Sequence, residues 1–143
     1  MKVLFKKLTD KAVKPTYGTK FSAGADLYSV EERVIASGET AVIKTGIAVQ
    51  IPEGYVGLVY ARSGLATKRG LAPANKVGVI DSDYRGEVMV ALYNQSGVEQ
   101  KIDEGERIAQ MVIAPYLACE YEEADSLDDT ARGSGGFGST GTK

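Results

Sequence analysis

Apolar and polar side chains alternate in short runs along most of the chain, with turn-forming residues between the runs. The alternation is clearest in Thr40–Thr45 (TAVIKT) and Glu87–Asn94 (EVMVALYN), where apolar residues change places with polar or small ones. A period of two residues is typical of a β-strand with one buried face. The pattern predicts strands at Val3–Leu8, Thr40–Thr45, Ile47–Ile51, Val56–Tyr60, Val77–Ile80, Val88–Asn94, Val98–Ile102 and Ile108–Tyr116.

Turn-forming residues separate these predicted strands and leave room for only one helix. The turns are the segments 37–39 (SGE), 52–54 (PEG), 82–86 (SDYRG), 95–97 (QSG) and 103–105 (DEG). Ser63–Lys68 (SGLATK) predicts a short helix, with Ser63 as its cap and Gly70 as its stop. A parallel α/β sheet would need several amphipathic helices, so we expect an all-β antiparallel sandwich or barrel.

The hydrophobic pattern stops near residue 124. From Asp125 to Lys143 apolar residues nearly vanish, and Gly, Ser and Thr surround Phe137 in the run RGSGGFGSTG. Such a segment cannot bury enough surface to order itself. We therefore predict a β-sandwich domain over residues 1–124 and a flexible Gly-rich tail over residues 125–143. The tail is either a disordered end or a segment that orders on a ligand, with Arg132 on phosphates and Phe137 on a base.

Size and charge narrow the functional classes. The chain has 143 residues, the size of one ordinary domain, and a net charge of -2, which disfavours nucleic acid and anionic membranes as partners. No apolar run approaches the roughly 18 residues of a membrane span, and the charged N-terminus is unlike a secretory signal. The lone Cys119 favours a reducing compartment. Cytoplasm is the default expectation, and a viral or nuclear setting is equally compatible.

The chain contains no histidine. This excludes Ser-His-Asp and Cys-His nucleophilic schemes and most transition-metal sites. Any acid–base chemistry must come from Asp, Glu, Lys or Tyr. Any metal must be a hard cation held by oxygen atoms, and Mg²⁺ is the leading choice.

Five short segments offer chemistry. Segment 23–29 (AGADLYS) carries Asp26, for which a structural turn is the ordinary interpretation. Segment 61–71 (ARSGLATKRGL) places Arg62, Ser63 and Gly64 at a predicted helix N-terminus, where backbone amides attract phosphate. An ordinary capped helix with a solvated basic end is the alternative. The fifth segment is the tail run RGSGGFGSTG.

The remaining two segments contain a carboxylate and an amide. Segment 75–90 (NKVGVIDSDYRGEVMV) places Asp81 where a strand leaves the core, with Asp83 and Tyr84 close by. Its hairpin could pair main-chain groups with a pyrimidine, although an Asp-rich β-turn is the ordinary interpretation. Segment 105–112 (GERIAQMV) puts Gln110 in an apolar strand, where its amide needs a structural partner or a ligand.

Together these groups suit the hydrolysis of a nucleoside triphosphate by an activated water molecule. The sequence has no P-loop and no GxGxxG after a strand, so the common NTPase and Rossmann interpretations fail. In order and spacing, the five segments resemble the motifs of the trimeric dUTP pyrophosphatase (dUTPase) family, from about Ala23 to Gly141.

The resemblance implies a jelly-roll-type β-sandwich that forms a homotrimer with three active sites at subunit junctions. It also implies hydrolysis of dUTP to dUMP and pyrophosphate with Mg²⁺, which limits uracil in DNA and supplies dUMP for dTMP synthesis. In that family the motifs like 23–29, 61–71 and 105–112 come from one subunit. The hairpin comes from a second subunit and the tail from the third.

The resemblance also implies a role for each site residue. Asp81 would be the general base that activates water, and Asp26 would help to hold Mg²⁺ through a water molecule. The phosphates would be bound by Arg62, Ser63 and Gly64, supported by Gln110. Uracil and deoxyribose would be bound by Asn75, Gly78, Val79, Ile80, Tyr84 and Met89. The tail would close over the substrate with Phe137 on uracil and with Arg132, Gly138 and Ser139 on the phosphates.

The sequence departs from the family pattern at two positions and leaves two alternatives. Ala61 stands where a Pro is often found, and Arg85 stands where a Gln is common. One alternative is a dCTP deaminase-like enzyme of the same fold. The hairpin 79–86 argues against it, because this hairpin resembles the version that binds uracil. The other alternative is a non-catalytic nucleotide-binding regulatory protein, although Asp81, Asp26, Arg62 and Phe137 are all present.

Overall fold

The computed structural model describes residues 1–141, and the last two residues of the predicted tail lie outside the described residues. Ten strands and one helical turn of π type, α1 (Leu65–Arg69), form within this part of the chain. The strands are β1 (Leu4–Lys7), β2 (Ala25–Tyr28), β3 (Arg33–Ile35), β4 (Thr40–Gln50), β5 (Tyr55–Tyr60), β6 (Leu71–Pro73), β7 (Gly78–Ile80), β8 (Glu87–Asn94), β9 (Gln100–Ile102) and β10 (Arg107–Pro115).

Two antiparallel four-stranded sheets form a sandwich. One sheet has the strand order β1-β4-β8-β6, the other has the order β2-β10-β5-β7, and β3 pairs with β9 in a small ribbon. Alternate side chains of both sheets meet in one core, which includes the fully buried Ile43, Leu92, Leu27 and Ile108. The predicted jelly-roll-type β-sandwich with one short helix is confirmed. Among residues 1–141, no helix is both long enough and apolar enough to cross a membrane.

Strand β4 joins two runs that the sequence pattern separates. Thr40–Thr45 and Ile47–Ile51 are predicted as two strands, and the structure forms one strand from Thr40 to Gln50. Gly46 interrupts the alternation because it has a φ of 68°, and the pairing with β8 shifts register between Lys44 and Ala48. A Cβ on Gly46 would lie 2.6 Å from Thr9 Cγ2, so this bulge also requires the absence of a side chain.

Three short strands are not predicted by the pattern. β2, β3 and β6 have only three or four residues each, too few for a period of two to be distinguished from chance. Each one forms because a longer or neighbouring strand pairs with it: β10 pairs with β2, β9 with β3, and β8 with β6. The pairing strand, rather than the local sequence, determines these elements.

Helical backbone begins at Ser63, where the helix is predicted to start, but the capping differs from the prediction. Ser63 is predicted as its cap, but the N-cap is Gly64 and no side chain caps the turn. Burial of Leu65, which is 7% exposed, anchors the turn instead. The predicted stop at Gly70 is confirmed: this residue has a left-handed conformation, and its N–H donates to the carbonyl of Leu65.

Candidate active site

A cavity of about 240 Å³ lies between the two sheets where the hairpin β7–β8 opens. β7 is the edge strand of its sheet, so one row of its main-chain groups has no strand beside it. On the opposite wall, pairing of the β6 segment with β8 ends at Ala91, where Ala74 N–H donates to its carbonyl over 2.8 Å. The free edge of β7 therefore forms one wall of the cavity, and the part of β8 that β6 does not pair with forms the other.

The structure brings the predicted uracil-binding residues to this cavity. Its lining includes Asn75, Gly78, Val79, Ile80, Asp81, Tyr84 and Met89, which are the hairpin residues predicted to bind substrate. Gly78 packs closely against two other lining residues, because a Cβ there would lie 3.2 Å from Val59 Cβ and 3.5 Å from the side-chain nitrogen of Asn75. Val79 and Met89 remain 64% and 46% exposed and can contact a ligand.

Asp81 lies at the rim of the cavity, directly after β7. Its backbone carbonyl accepts a hydrogen bond from Tyr84 N–H over 3.2 Å, which closes the turn. The residue is exposed, and among residues 1–141 its carboxylate takes part in no hydrogen bond or ion pair. An exposed carboxylate without a partner is available to bind a water molecule.

A second cluster forms on the same sheet, around β2, β10 and the end of β5. In the register of β2, β10 and β5, Gln110 lies opposite both Asp26 and Tyr60. Arg62, two residues after the end of β5, donates from Nε to Asp26 Oδ1 over 2.9 Å. Arg107 Nη1 donates to the other oxygen, Oδ2, over 3.3 Å. Both oxygens of a carboxylate that is 13% exposed are therefore held by guanidinium groups.

Arg107 is a member of this cluster that the sequence reasoning missed. Its side chain is 51% exposed, and its backbone carbonyl accepts a hydrogen bond from Arg62 Nη1 over 3.4 Å. The charge of two arginines around one carboxylate leaves this corner positive. A basic residue three positions before Gln110 in GERIAQ was the available indication, but its pairing with Asp26 depends on the β2–β10 register.

Gln110 has a structural partner. Its side-chain nitrogen donates to the carbonyl of Ala61 over 2.9 Å, and this contact holds the segment that precedes Arg62. Gly24 packs against the same amide, since a Cβ on Gly24 would lie 3.0 Å from Gln110 Cδ. The predicted alternatives for this amide were a structural partner or a ligand, and the structure shows the structural partner. This contact orients the loop that carries Arg62.

Ser63 and Gly64 are exposed beside this cluster. Thr67 Oγ1 donates to the backbone carbonyl of Ser63 over 2.7 Å, so this hydrogen bond does not use the hydroxyl of Ser63. A Cβ on Gly64 would meet no atom within 4 Å, so the backbone there is open to a ligand. The cluster therefore presents two arginines, a hydroxyl and an unobstructed amide on one surface.

The carboxylates among the described residues fit Mg²⁺ only if the phosphates of a substrate also bind the cation. No group of three or more His, Cys, Asp or Glu side chains in residues 1–141 is arranged to hold a metal. Asp26 is a single carboxylate with two arginine partners. Mg²⁺ usually keeps several water molecules and uses one or two carboxylates together with substrate phosphates, so Asp26 fits this mode of binding.

The two clusters are far apart within one chain. Ile80 pairs with Gly57, so Asp81 lies opposite Val56, near the start of β5. Strand β5 continues to Tyr60 and Arg62 follows two residues later, which separates the backbones of Asp81 and Arg62 by about 20 Å. The Arg62 side chain also reaches towards Asp26 on β2, the strand at the opposite edge from β7.

The predicted tail residues join neither cluster. Arg132 Nε donates to the carbonyl of Gly135 over 2.8 Å, and Ser139 N–H donates to the carbonyl of Gly136 over 3.0 Å. Phe137 is fully exposed and has a φ of 50°. Within the described part of the chain, Arg132, Phe137, Gly138 and Ser139 neither line the cavity nor bond to the arginine cluster.

The sandwich and its two polar clusters fit the class of enzymes that hydrolyse nucleoside triphosphates. Comparisons with known proteins identify the family. The dUTPase family model matches residues 10–141. A deoxyuridine 5'-triphosphate nucleotidohydrolase from Hydrogenobaculum sp. is 49% identical over 144 residues, covering all of both chains. The chain therefore belongs to the dUTPase family, which confirms the family and the enzyme class that the sequence predicts.

Solved structures agree with this assignment. A mutant of the dUTPase of Staphylococcus bacteriophage 80alpha, with dUpNHpp, has a TM-score of 0.91 and is 33% identical over 98% of each chain. A mutant dUTPase from phage phi11 of S. aureus has a TM-score of 0.82 and is 31% identical, covering 89% of this chain and 99% of that one. This phi11 structure reveals the coordination of a structural Mg(II) ion in that protein.

Proposed function

We propose that this chain hydrolyses dUTP to dUMP and pyrophosphate, with Asp81 activating the water molecule that attacks the α-phosphorus. The observation that carries the proposal is the hairpin cavity, with the Asp81 carboxylate at its rim. The names of the relatives support the substrate, and the phage 80alpha structure contains a dUTP-like ligand, dUpNHpp. The same reaction limits uracil in DNA and supplies dUMP for dTMP synthesis.

Uracil binds in the cavity against the edge of β7. In β7 (Gly78–Ile80) the main-chain groups that point away from β5 offer the donors and acceptors that a further strand would use, and the side-chain amide of Asn75 adds one more pair. The narrow hairpin rejects the 5-methyl group of thymine. Cytosine is rejected because its hydrogen-bonding edge leaves donors facing donors and buried groups unpaired. Tyr84 packs on deoxyribose and Met89 closes the opposite wall.

Asp81 is the general base because its carboxylate is free and Asp26 is not. A general base must be within hydrogen-bond reach of the water that it deprotonates. Asp81 is exposed at the cavity rim without an ion-pair partner among residues 1–141, whereas both oxygens of Asp26 are held by Arg62 and Arg107. A water on Asp81 is oriented towards the α-phosphorus of a nucleotide whose base occupies the cavity.

The arginine cluster binds the triphosphate. Arg62, Ser63 and Gly64 supply a guanidinium group, a hydroxyl and an amide, and Gln110 holds their loop through Ala61. Asp26 is the residue that would hold Mg²⁺, through a water molecule, and the bound cation would supply stabilisation of the negative charge that develops on the phosphate oxygens.

Sites shared between copies, as in the homotrimer that the family resemblance implies, are supported by the separation of the clusters. One chain holds Asp81 and Arg62 about 20 Å apart, farther than the two side chains can span. Attack on the α-phosphorus needs both groups on one substrate, and this supports an arginine cluster supplied by a neighbouring copy. The tail, residues 125–143, closes over the site of another copy of the 1–124 domain, with Phe137 on uracil and with Arg132, Gly138 and Ser139 on the phosphates.

The test is a pyrophosphate-release assay with dUTP, dTTP, dCTP and UTP, each with and without Mg²⁺. We expect release from dUTP alone, stimulated by Mg²⁺, and a mass of three chains in sedimentation. Equal release from dTTP would contradict the hairpin as the base-reading element, and equal release from UTP would contradict Tyr84 as the residue that excludes the ribose 2′-hydroxyl. Ammonia from dCTP would favour the deaminase alternative, and dUTP binding without turnover would favour the regulatory one.

A further inference from the structure

Tyr84 is held in a folded-back position by two neighbours in the turn 81–87. Its hydroxyl donates to the carbonyl of Glu87 over 2.9 Å, which turns the ring back along the chain instead of outward. The ring lies directly over Gly86: a Cβ on Gly86 would be 2.6 Å from Tyr84 Cζ and 2.9 Å from Cε2. Contacts under 3.0 Å cannot persist, so this ring position requires residue 86 to have no side chain.

The conformation of Gly86 does not explain why it is a glycine. Eight other glycines have a positive φ, whereas Gly86 is not among them, so its backbone is open to any L-residue. The restriction at residue 86 is therefore the space occupied by the Tyr84 ring. The ring is the outer end of a side chain that is 42% exposed, so a methyl group at 86 would displace the ring and leave the backbone in place.

The position of this ring determines the shape of the cavity. Tyr84 and Glu87, the two ends of the hydrogen bond, both line the cavity. In the proposed function the Tyr84 ring is the surface that excludes a ribose 2′-hydroxyl. A ring free to swing outward would leave room for that hydroxyl, whereas a ring held between Gly86 and the Glu87 carbonyl would not.

We infer that Gly86 is a specificity-determining residue: its lack of a side chain seats Tyr84 against the Glu87 carbonyl and thereby sets discrimination between deoxyribose and ribose. This inference rests on the proposed function and adds to it the reason why the sugar wall is rigid. Gly86 contacts no substrate itself. It acts only through the position of Tyr84.

The test compares Gly86→Ala with the wild type in the same complete protein. The readout is the ratio of kcat/KM for dUTP to kcat/KM for UTP, together with the corresponding affinity ratio for dUMP and UMP. We expect Gly86→Ala to lower both ratios by about tenfold or more, because a steric wall against one small group contributes selectivity of that order. A merely structural role would lower activity on both nucleotides and leave the ratios unchanged.

Gly97→Ala is the matched control. Gly97 also has no positive φ, and a Cβ there would meet no atom within 4 Å, so both ratios should stay at the wild-type values. Tyr84→Phe keeps the ring and removes only the hydrogen bond to Glu87, and we expect it to lower the ratios by about fivefold. If Gly86→Ala does not fold, Tyr84→Phe decides the question.

Unchanged ratios in folded Gly86→Ala would overturn the inference, as would unchanged ratios in Tyr84→Phe if only that variant folds. The two proposals fail in distinguishable ways. A wild-type protein that releases no pyrophosphate from dUTP contradicts the proposed function. A wild type that is active and selective, beside a Gly86→Ala variant that remains equally selective, contradicts this inference alone.

Discussion

Shared active sites make a quantitative prediction for mixed assemblies. Asp81→Asn removes the proposed base, and Arg62→Gln removes a proposed phosphate ligand while Asp26 keeps Arg107 as a partner. Each variant alone should lose at least about a hundredfold in turnover, the usual range for a general base or an electrostatic ligand. Because Asp81 and Arg62 stand about 20 Å apart in one chain, an equal mixture of the two variants should regain activity.

The size of the recovery follows from random assembly. In a trimer drawn from equal amounts, half of the sites receive an intact Asp81, and half of those receive an intact Arg62 from the neighbour. About one quarter of all sites are then complete, so the mixture should show about one quarter of the wild-type rate. A site built within one chain would be defective in every combination, and the mixture would stay at the level of its parts.

The assay is pyrophosphate release from dUTP after the two variants are denatured together and refolded. Each variant taken alone through the same treatment gives the background, and refolded wild type gives the full rate. Mixing without refolding controls for slow exchange of chains. A refolded mixture no more active than the mean of its two components would refute the sharing of sites, provided that the refolded wild type regains its activity.

Three further predictions concern single features. Asp81→Asn should bind dUTP with nearly unchanged affinity in calorimetry while kcat falls by about 10²- to 10⁴-fold, and near-normal turnover would contradict its role as a base. Truncation after Asp129 should leave thermal unfolding and sedimentation unchanged but abolish efficient turnover; an unfolded product would instead make the tail structural. In a urea titration, Gly46→Ala should lower the free energy of unfolding by about 3 kcal/mol, because the φ of Gly46 is 68° and the new methyl group would meet Thr9. The control Gly97→Ala should change the free energy of unfolding by less than about 0.5 kcal/mol in the same titration.

The candidate site was predictable to different degrees in its two halves. The hairpin residues are close in sequence, so a strand, a turn and a strand are enough to bring Asn75, Gly78 and Tyr84 to one cavity. The arginine cluster joins three strands, and the contact of Arg107 with Asp26 exists only because β10 lies beside β2 in one register. No local pattern around Arg107 contains that information.

The amino-acid sequence by itself determined the longer strands, the absence of histidine chemistry and the membership in the dUTPase family. These are properties of local alternation, composition and ordered motifs, and they need no knowledge of which strands touch. The tertiary structure alone decided the three short strands, the merging of β4 across Gly46, and the pairing of Asp26 with two arginines. It also decided that Asp81 and Arg62 lie near opposite ends of β5, because the antiparallel register of β5 and β7 is a contact between distant residues.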